Sequence, residues 1–184
     1  MIEIVVLTEE PSIKPVFECL VEKLAFTNAF LTIITHDGVS DLERSLPRKL
    51  RGWRNPNSFF LIVRDNDNGD CLKRKEKLQK IVDDCGRSER TLIRIVCQEL
   101  EAWFLGDRQA MHDADILNIN VNPANLRGNP DQLNKPSRIL EEHLNGYSKL
   151  AGATAIAPCL SLDRNESTSF KATVDAIRRL AKEG

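Results

Sequence analysis

Four short, nearly unbroken apolar runs, separated by amphipathic stretches, constrain this chain most. They are residues 2–7 (IEIVVL), 30–34 (FLTII), 58–63 (SFFLIV) and 91–96 (TLIRIV). Each has strand length and is rich in β-branched or aromatic side chains. Near-continuous apolarity implies burial on both faces, as in a parallel sheet. Between the runs, apolar residues recur at helical spacing. Residues 11–25 carry Val16, Leu20, Val21 and Leu24 behind Pro11. Residues 39–53 carry Leu42, Leu46 and Leu50 behind a Ser40 or Asp41 cap, and residues 70–85 carry Leu72, Leu78, Ile81 and Val82, with Gly86 to end the helix. Strand alternating with helix predicts right-handed βαβ units, hence an α/β fold with a mainly parallel sheet. Beyond residue 105 the pattern weakens. Residues 116–136 are rich in Asn and Pro and read as irregular. Helices are expected at about 136–145 and 168–182, the second capped by Asn165, Ser167 or Thr168. The 184 residues fit a single domain, with about 106–184 as an irregular and helical C-terminal extension.

Composition excludes several classes. With 26 Lys and Arg against 27 Asp and Glu, net charge is −1. A nucleic-acid partner must therefore be held by a local basic patch. No apolar run is long enough for a transmembrane helix, and the start MIEIVVLTEE reads as a strand, not a signal peptide. Five scattered cysteines (Cys19, Cys71, Cys85, Cys97, Cys159) without a CxxC pair read as reduced, cytoplasmic thiols. His36, His112 and His143 are too dispersed for a zinc site. The Gly-x-x-x-x-Gly-Lys loop of P-loop NTPases is missing.

In open α/β sheets, ligands bind beyond the carboxyl ends of the strands. Those ends are acidic here. The first run leads into Glu9 and Glu10, the third into Asp65, Asp67 and Asp70, and the fourth into Glu99 and Glu101. Singly, each has an ordinary explanation: a helix N-terminus, a solvated Asp/Asn turn, a solvated face. Together they would converge on one edge. Crowded carboxylates repel, and a hard divalent cation such as Mg²⁺ or Mn²⁺ relieves the repulsion.

The order strand–Glu–helix, strand, helix, strand–Asp-x-Asp resembles the Toprim domain of topoisomerases, primases and overcoming-lysogenization-defect nucleases. That resemblance implies a Rossmann-like fold in which Glu9, Asp65 and Asp67 bind Mg²⁺. The sequence departs at Glu10, where that family usually has glycine. More specifically, TEEPSIK, HDGVSDLERSLPRKLRGW, LIVRDNDNGDC, CQELEAWFLGD, KPSRILE and SLDRNESTSF resemble the bacterial domain-of-unknown-function family 4276 over nearly the whole chain. The Toprim resemblance implies metal-dependent, nuclease-like phosphodiester chemistry on DNA or RNA. Asp65 and Asp67 would hold the metal, with Glu9 as third ligand or general base. Glu99 or Glu101 would anchor a second ion. Toprim nucleases of the defence type work with ATPase domains, so a separate ATPase partner is expected. The alternative is a non-catalytic module that binds a partner protein.

Other candidates carry competing explanations. Arg44, Arg48 and Arg51 fall on one helix face beside Trp53, suited to phosphates and a stacked base, or to a solvated face with Trp53 packed inside. Lys73, Arg74, Lys75, Lys77 and Lys80 read as an exposed face. Lys14 could meet a phosphate, but pairing with Glu10 at i, i+4 is favoured. His36 reads as a turn residue. Tyr147, the one tyrosine, is expected outside the core, which argues against a covalent tyrosyl step.

Overall fold

The structure is a computed structural model; residues 1–117, 128–144 and 146–182 are described. Its centre is a four-stranded sheet of β1 (Ile2–Thr8), β2 (Ala29–Thr35), β3 (Ser58–Asp65) and β4 (Thr91–Val96). All pairings are parallel and the order is β2-β1-β3-β4. The expected strands are therefore present, the first three extended by one or two residues and the fourth unchanged. Their apolar side chains alternate between two cores. Ile2, Ile4 and Val6 of β1 face one, while Val5 and Leu7 face the other.

Helices cover both faces. α1 (Lys14–Leu24) follows a short 3₁₀ turn at Pro11–Ile13. α2 (Val39–Gly52) and α3 (Cys71–Asp84) bury Leu42, Leu46, Leu50, Leu78 and Val82 in the second core. Two local expectations fail. The cap of α2 is Gly38 at φ 85°, not Ser40 or Asp41, because only the residue before Val39 adopts the non-helical conformation a cap needs. Leu72 is 68% exposed, since Leu78 and Val82 define the buried stripe of α3 and position 72 lies off it. Gly86 does follow α3 in the left-handed region, where glycine is tolerated without cost.

The C-terminal part is more helical than expected. It contains α4 (Glu101–Leu105), α5 (Arg108–Asp113), α6 (Pro136–His143), α7 (Lys149–Ile156) and α8 (Thr168–Leu180). α8 is capped by Ser167, whose side chain accepts from the Phe170 N–H. These elements pack their apolar faces with α1 in the first core, around Trp103, Phe104, Phe170 and Phe17. Of the stretch expected to be irregular, residues 118–127 lie outside the described residues; Pro130–Gln132 forms a 3₁₀ turn. Among the described residues, no helix is long and apolar enough to cross a membrane.

The strand order has a functional consequence. The chain leaves β1 toward β2, then returns across β1 to form β3. In open α/β sheets the ligand crevice lies where the connections diverge, here between the carboxyl ends of β1 and β3.

Candidate functional site

Glu9 follows β1 and Asp65 ends β3, so the two flank that crevice. Both are buried. The Asp65 backbone N–H donates to Glu9 Oε1 at 2.8 Å. The other oxygen, Oε2, is buried without a hydrogen-bond partner; its nearest counter-charge is Arg64 Nε at 3.9 Å. Arg64 is itself only 4% exposed, and it also reaches Glu43 at 3.4 Å. Burial first, then the charges of Glu9, Glu10 and Glu101, push the Asp65 carboxyl far above its ordinary range. Burial also raises Glu9, against the pull of the Asp65 N–H and Arg64.

Asp67 sits one turn beyond, exposed, on a loop fastened to the end of β4. The N–H groups of Asn66, Asp67 and Asn68 donate to Val96 O, Gln98 O and Gln98 Oε1 at 2.8–3.0 Å. These bonds hold Asp67 and Asn68 at φ 44° and 56°, a conformation Asp and Asn tolerate better than most residues. The charge of Asp67 reaches Glu9 and helps raise its pKa. Asp70 instead caps α3, accepting from the N–H groups of Leu72 and Lys73.

The segment after β4 contributes Glu101, the first residue of α4, which is 1% exposed. Its Oε1 accepts from the Tyr147 hydroxyl at 2.8 Å, and its Oε2 is buried without a hydrogen-bond partner. Burial raises its pKa too. Glu99 points elsewhere and accepts from the Ser137 N–H at the start of α6. Glu10 forms a pair with Lys149 Nζ at 2.9 and 3.0 Å, and accepts from Ser12.

The crevice thus gathers Glu9, Asp65 and Glu101, with Glu10 and Asp67 at its rim. Lys149 and Tyr147, which complete it, are not foreseen by the sequence reading. Tyr147 lies at this edge, not apart from it. Lys14 does not pair with Glu10 as expected, because Lys149 holds both Glu10 oxygens; Lys14 meets Glu18 at 3.8 Å. Arg44, Arg48 and Arg51 lie exposed on α2, Arg44 against Asp41 and Arg51 on the Asp84 carbonyl. Trp53 is packed edge-on against Phe60 and donates to Glu3, so it is not presented for stacking. His36 is a buried turn residue, with Nδ1 donating to the Thr8 carbonyl at 2.7 Å.

Among the described residues, no three His, Cys, Asp or Glu side chains stand preassembled around a common ligating point. The donor set nevertheless fits a hard cation. Two buried carboxylate oxygens, Glu9 Oε2 and Glu101 Oε2, have no hydrogen-bond partner, and every candidate donor is oxygen.

The four-stranded parallel sheet flanked by helices is a Toprim-like α/β fold. The family model described as "Domain of unknown function (DUF4276)" matches residues 8–178, and the chain belongs to that family. The fold is similar to a solved structure, the C-terminal region of the Burkholderia pseudomallei OLD protein. The TM-score is 0.60 at 17% identity, covering 97% of this chain and 98% of that one. Comparison with curated proteins gives no match.

Proposed function

We propose that the crevice is a divalent-metal centre for hydrolysis of phosphodiester bonds in DNA or RNA. The observation that carries this reading is buried Asp65 beside Glu9, whose Oε2 lacks a hydrogen-bond partner. Asp65, Asp67 and Glu9 would hold Mg²⁺ or Mn²⁺, which, when bound, polarises the scissile phosphate and stabilises the leaving oxygen. The raised pKa of Glu9 suits it to take a proton from an attacking water. The Asp65 N–H fixes the Glu9 carboxylate for either role. Glu101 stands next in line for metal contact, with Tyr147 orienting it, while Glu99 is turned away to the start of α6. Arg44, Arg48, Arg51 and Lys14 would meet substrate phosphates. The whole chain acts as one unit, since the C-terminal helices bring Tyr147 and Lys149 to the crevice, and an ATPase is the expected partner.

The test is nicking of supercoiled plasmid and cleavage of RNA in Mn²⁺, with and without an ATPase partner. Cleavage by wild type and its loss in Asp65→Asn support the reading; equal activity of the two sinks it.

A second reading, a non-catalytic partner-binding module, draws on a different feature. A groove of about 370 Å³ runs beside the outer strand β4, lined in part by Leu72, Lys75, Ile93, Arg94 and Ile95. Partner capture that survives Asp65→Asn, with no cleavage under any condition, favours it.

A further inference from the structure

We propose that the Lys149 ammonium fills the position of a second cation, so that the crevice binds one divalent ion where its carboxylates could hold two; this rests on the metal-centre reading above. The carboxylates fall into two groups. Glu9 and Asp65 lie against each other at the β1/β3 boundary, joined by the 2.8 Å bond. Glu10 and Glu101 lie on the side approached by α7. Lys149, the first residue of α7, reaches into that second group. Its Nζ is 2.9 and 3.0 Å from the two Glu10 oxygens, and its charge acts on Glu101 and Asp65 as well. A cation bonded to both oxygens of one carboxylate, with two more acids in its field, does electrostatically what a bound ion would do.

Formal charge is consistent in direction. Glu9, Glu10, Asp65, Asp67 and Glu101 carry five negative charges when ionised, and Arg64 and Lys149 supply two positive ones, so the crevice retains a negative excess that favours a divalent ion. Without Lys149, the Glu10 carboxylate loses its ion-pair partner, and Glu101 Oε2 is a buried oxygen already lacking a hydrogen-bond partner. Both residues feel the Lys149 charge, so their oxygens are the hard donors a second ion would take in its place. The helix that carries Lys149 is held in place independently. Ile156 and Ala153 sit in the first core, and the Gly152 N–H donates to the Ser148 carbonyl. Removing the ammonium therefore alters charge at the crevice while the backbone that presents it stays anchored.

The experiment counts ions, not turnover. Mn²⁺ is titrated into metal-free protein by calorimetry, and bound Mn²⁺ is counted by electron paramagnetic resonance. Wild type and Lys149→Arg should bind one ion per chain; Lys149→Met and Lys149→Gln should bind two. A thermal melt shows which variants fold. If neither neutral variant folds, the wild-type count decides: one ion supports the inference and two overturn it. One ion in both wild type and a folded neutral variant also overturns it, while leaving the metal centre intact. No Mn²⁺ bound by wild type or by Lys149→Met overturns the metal-centre reading itself, and the inference with it.

Discussion

The Asp65 backbone N–H donates to Glu9 Oε1 at 2.8 Å, so the two acids that flank the crevice are fastened to each other across neighbouring strands. The bond uses the Asp65 backbone, not its carboxylate. Asp65 can therefore lose its charge without releasing Glu9.

Asp65→Asn should separate activity from stability. In wild type the folded pKa of Asp65 lies above its ordinary value of 3.8. Folding then favours the protonated form, and stability falls as pH rises from 3.8 through the folded pKa. With metal removed by chelator, the variant should be more stable than wild type at pH 7. That advantage should vanish near pH 3.8. Urea melts across this range check it, and a variant less stable at pH 7 counts against the argument. In Mn²⁺, cleavage should fall about a hundredfold or more, equivalent to roughly 3 kcal/mol of barrier.

Glu3, at the opposite end of the sheet, should show the reverse pH dependence. Burial raises its pKa, but donors from Ser58, Trp53, Thr32 and Asn55 outweigh burial and hold it below the ordinary 4.5. Its contribution to stability is present above pH 4.5 and lost as pH falls through the folded pKa. Glu3→Gln should cost about 2 kcal/mol at pH 7. Denaturant melts should find the gap between wild type and variant closing toward pH 3.

Tyr147 should prove sensitive at a distance. Gly152 leaves room for its ring; a Cβ there would collide with Tyr147 Cε2. Gly152→Ala should push the ring off, and Tyr147→Phe should delete the hydroxyl that Glu101 Oε1 accepts from. Either change leaves Glu101 with both oxygens short of a donor and should cost on the order of 1–3 kcal/mol. Thermal melts of the two variants should move together; an unshifted Tyr147→Phe contradicts the role given to its hydroxyl.

Nucleic-acid affinity should be modest and salt-dependent. With net charge −1, binding depends on local cations such as exposed Arg44, Arg48 and Arg51. Replacing all three with alanine should lower the slope of log affinity against log salt by about 2–3. A fluorescence titration at several salt concentrations measures this, and an unchanged slope removes α2 from the interface.

The strands and first three helices are legible in the sequence because their signals are local. Leu42, Leu46 and Leu50 mark a buried stripe whatever surrounds them. The α7 segment KLAGATAI carries no such stripe, since apolar residues stand on its exposed face (Leu150, Ala151) as well as its buried one (Ala153, Ile156). Glu9 and Asp65 are legible because strand ends in a parallel sheet share one edge. Lys149 is not: nothing within its own segment announces a partner 139 residues away. The same long-range contact defeats the expected Lys14–Glu10 pair, a local rule overridden by a tertiary partner.

That separation of 139 residues also sets a timetable for the nascent chain. A ribosome delivers β1 to β4 and all the crevice carboxylates well before Lys149 emerges. Until then the crevice acids repel one another with Arg64 as their near counter-ion. Synthesis from the N-terminus therefore leaves the crevice unsettled until α7 docks. A truncated product ending before Lys149 would lack the cation of its acidic edge and also the α7 and α8 side chains that fill the first core.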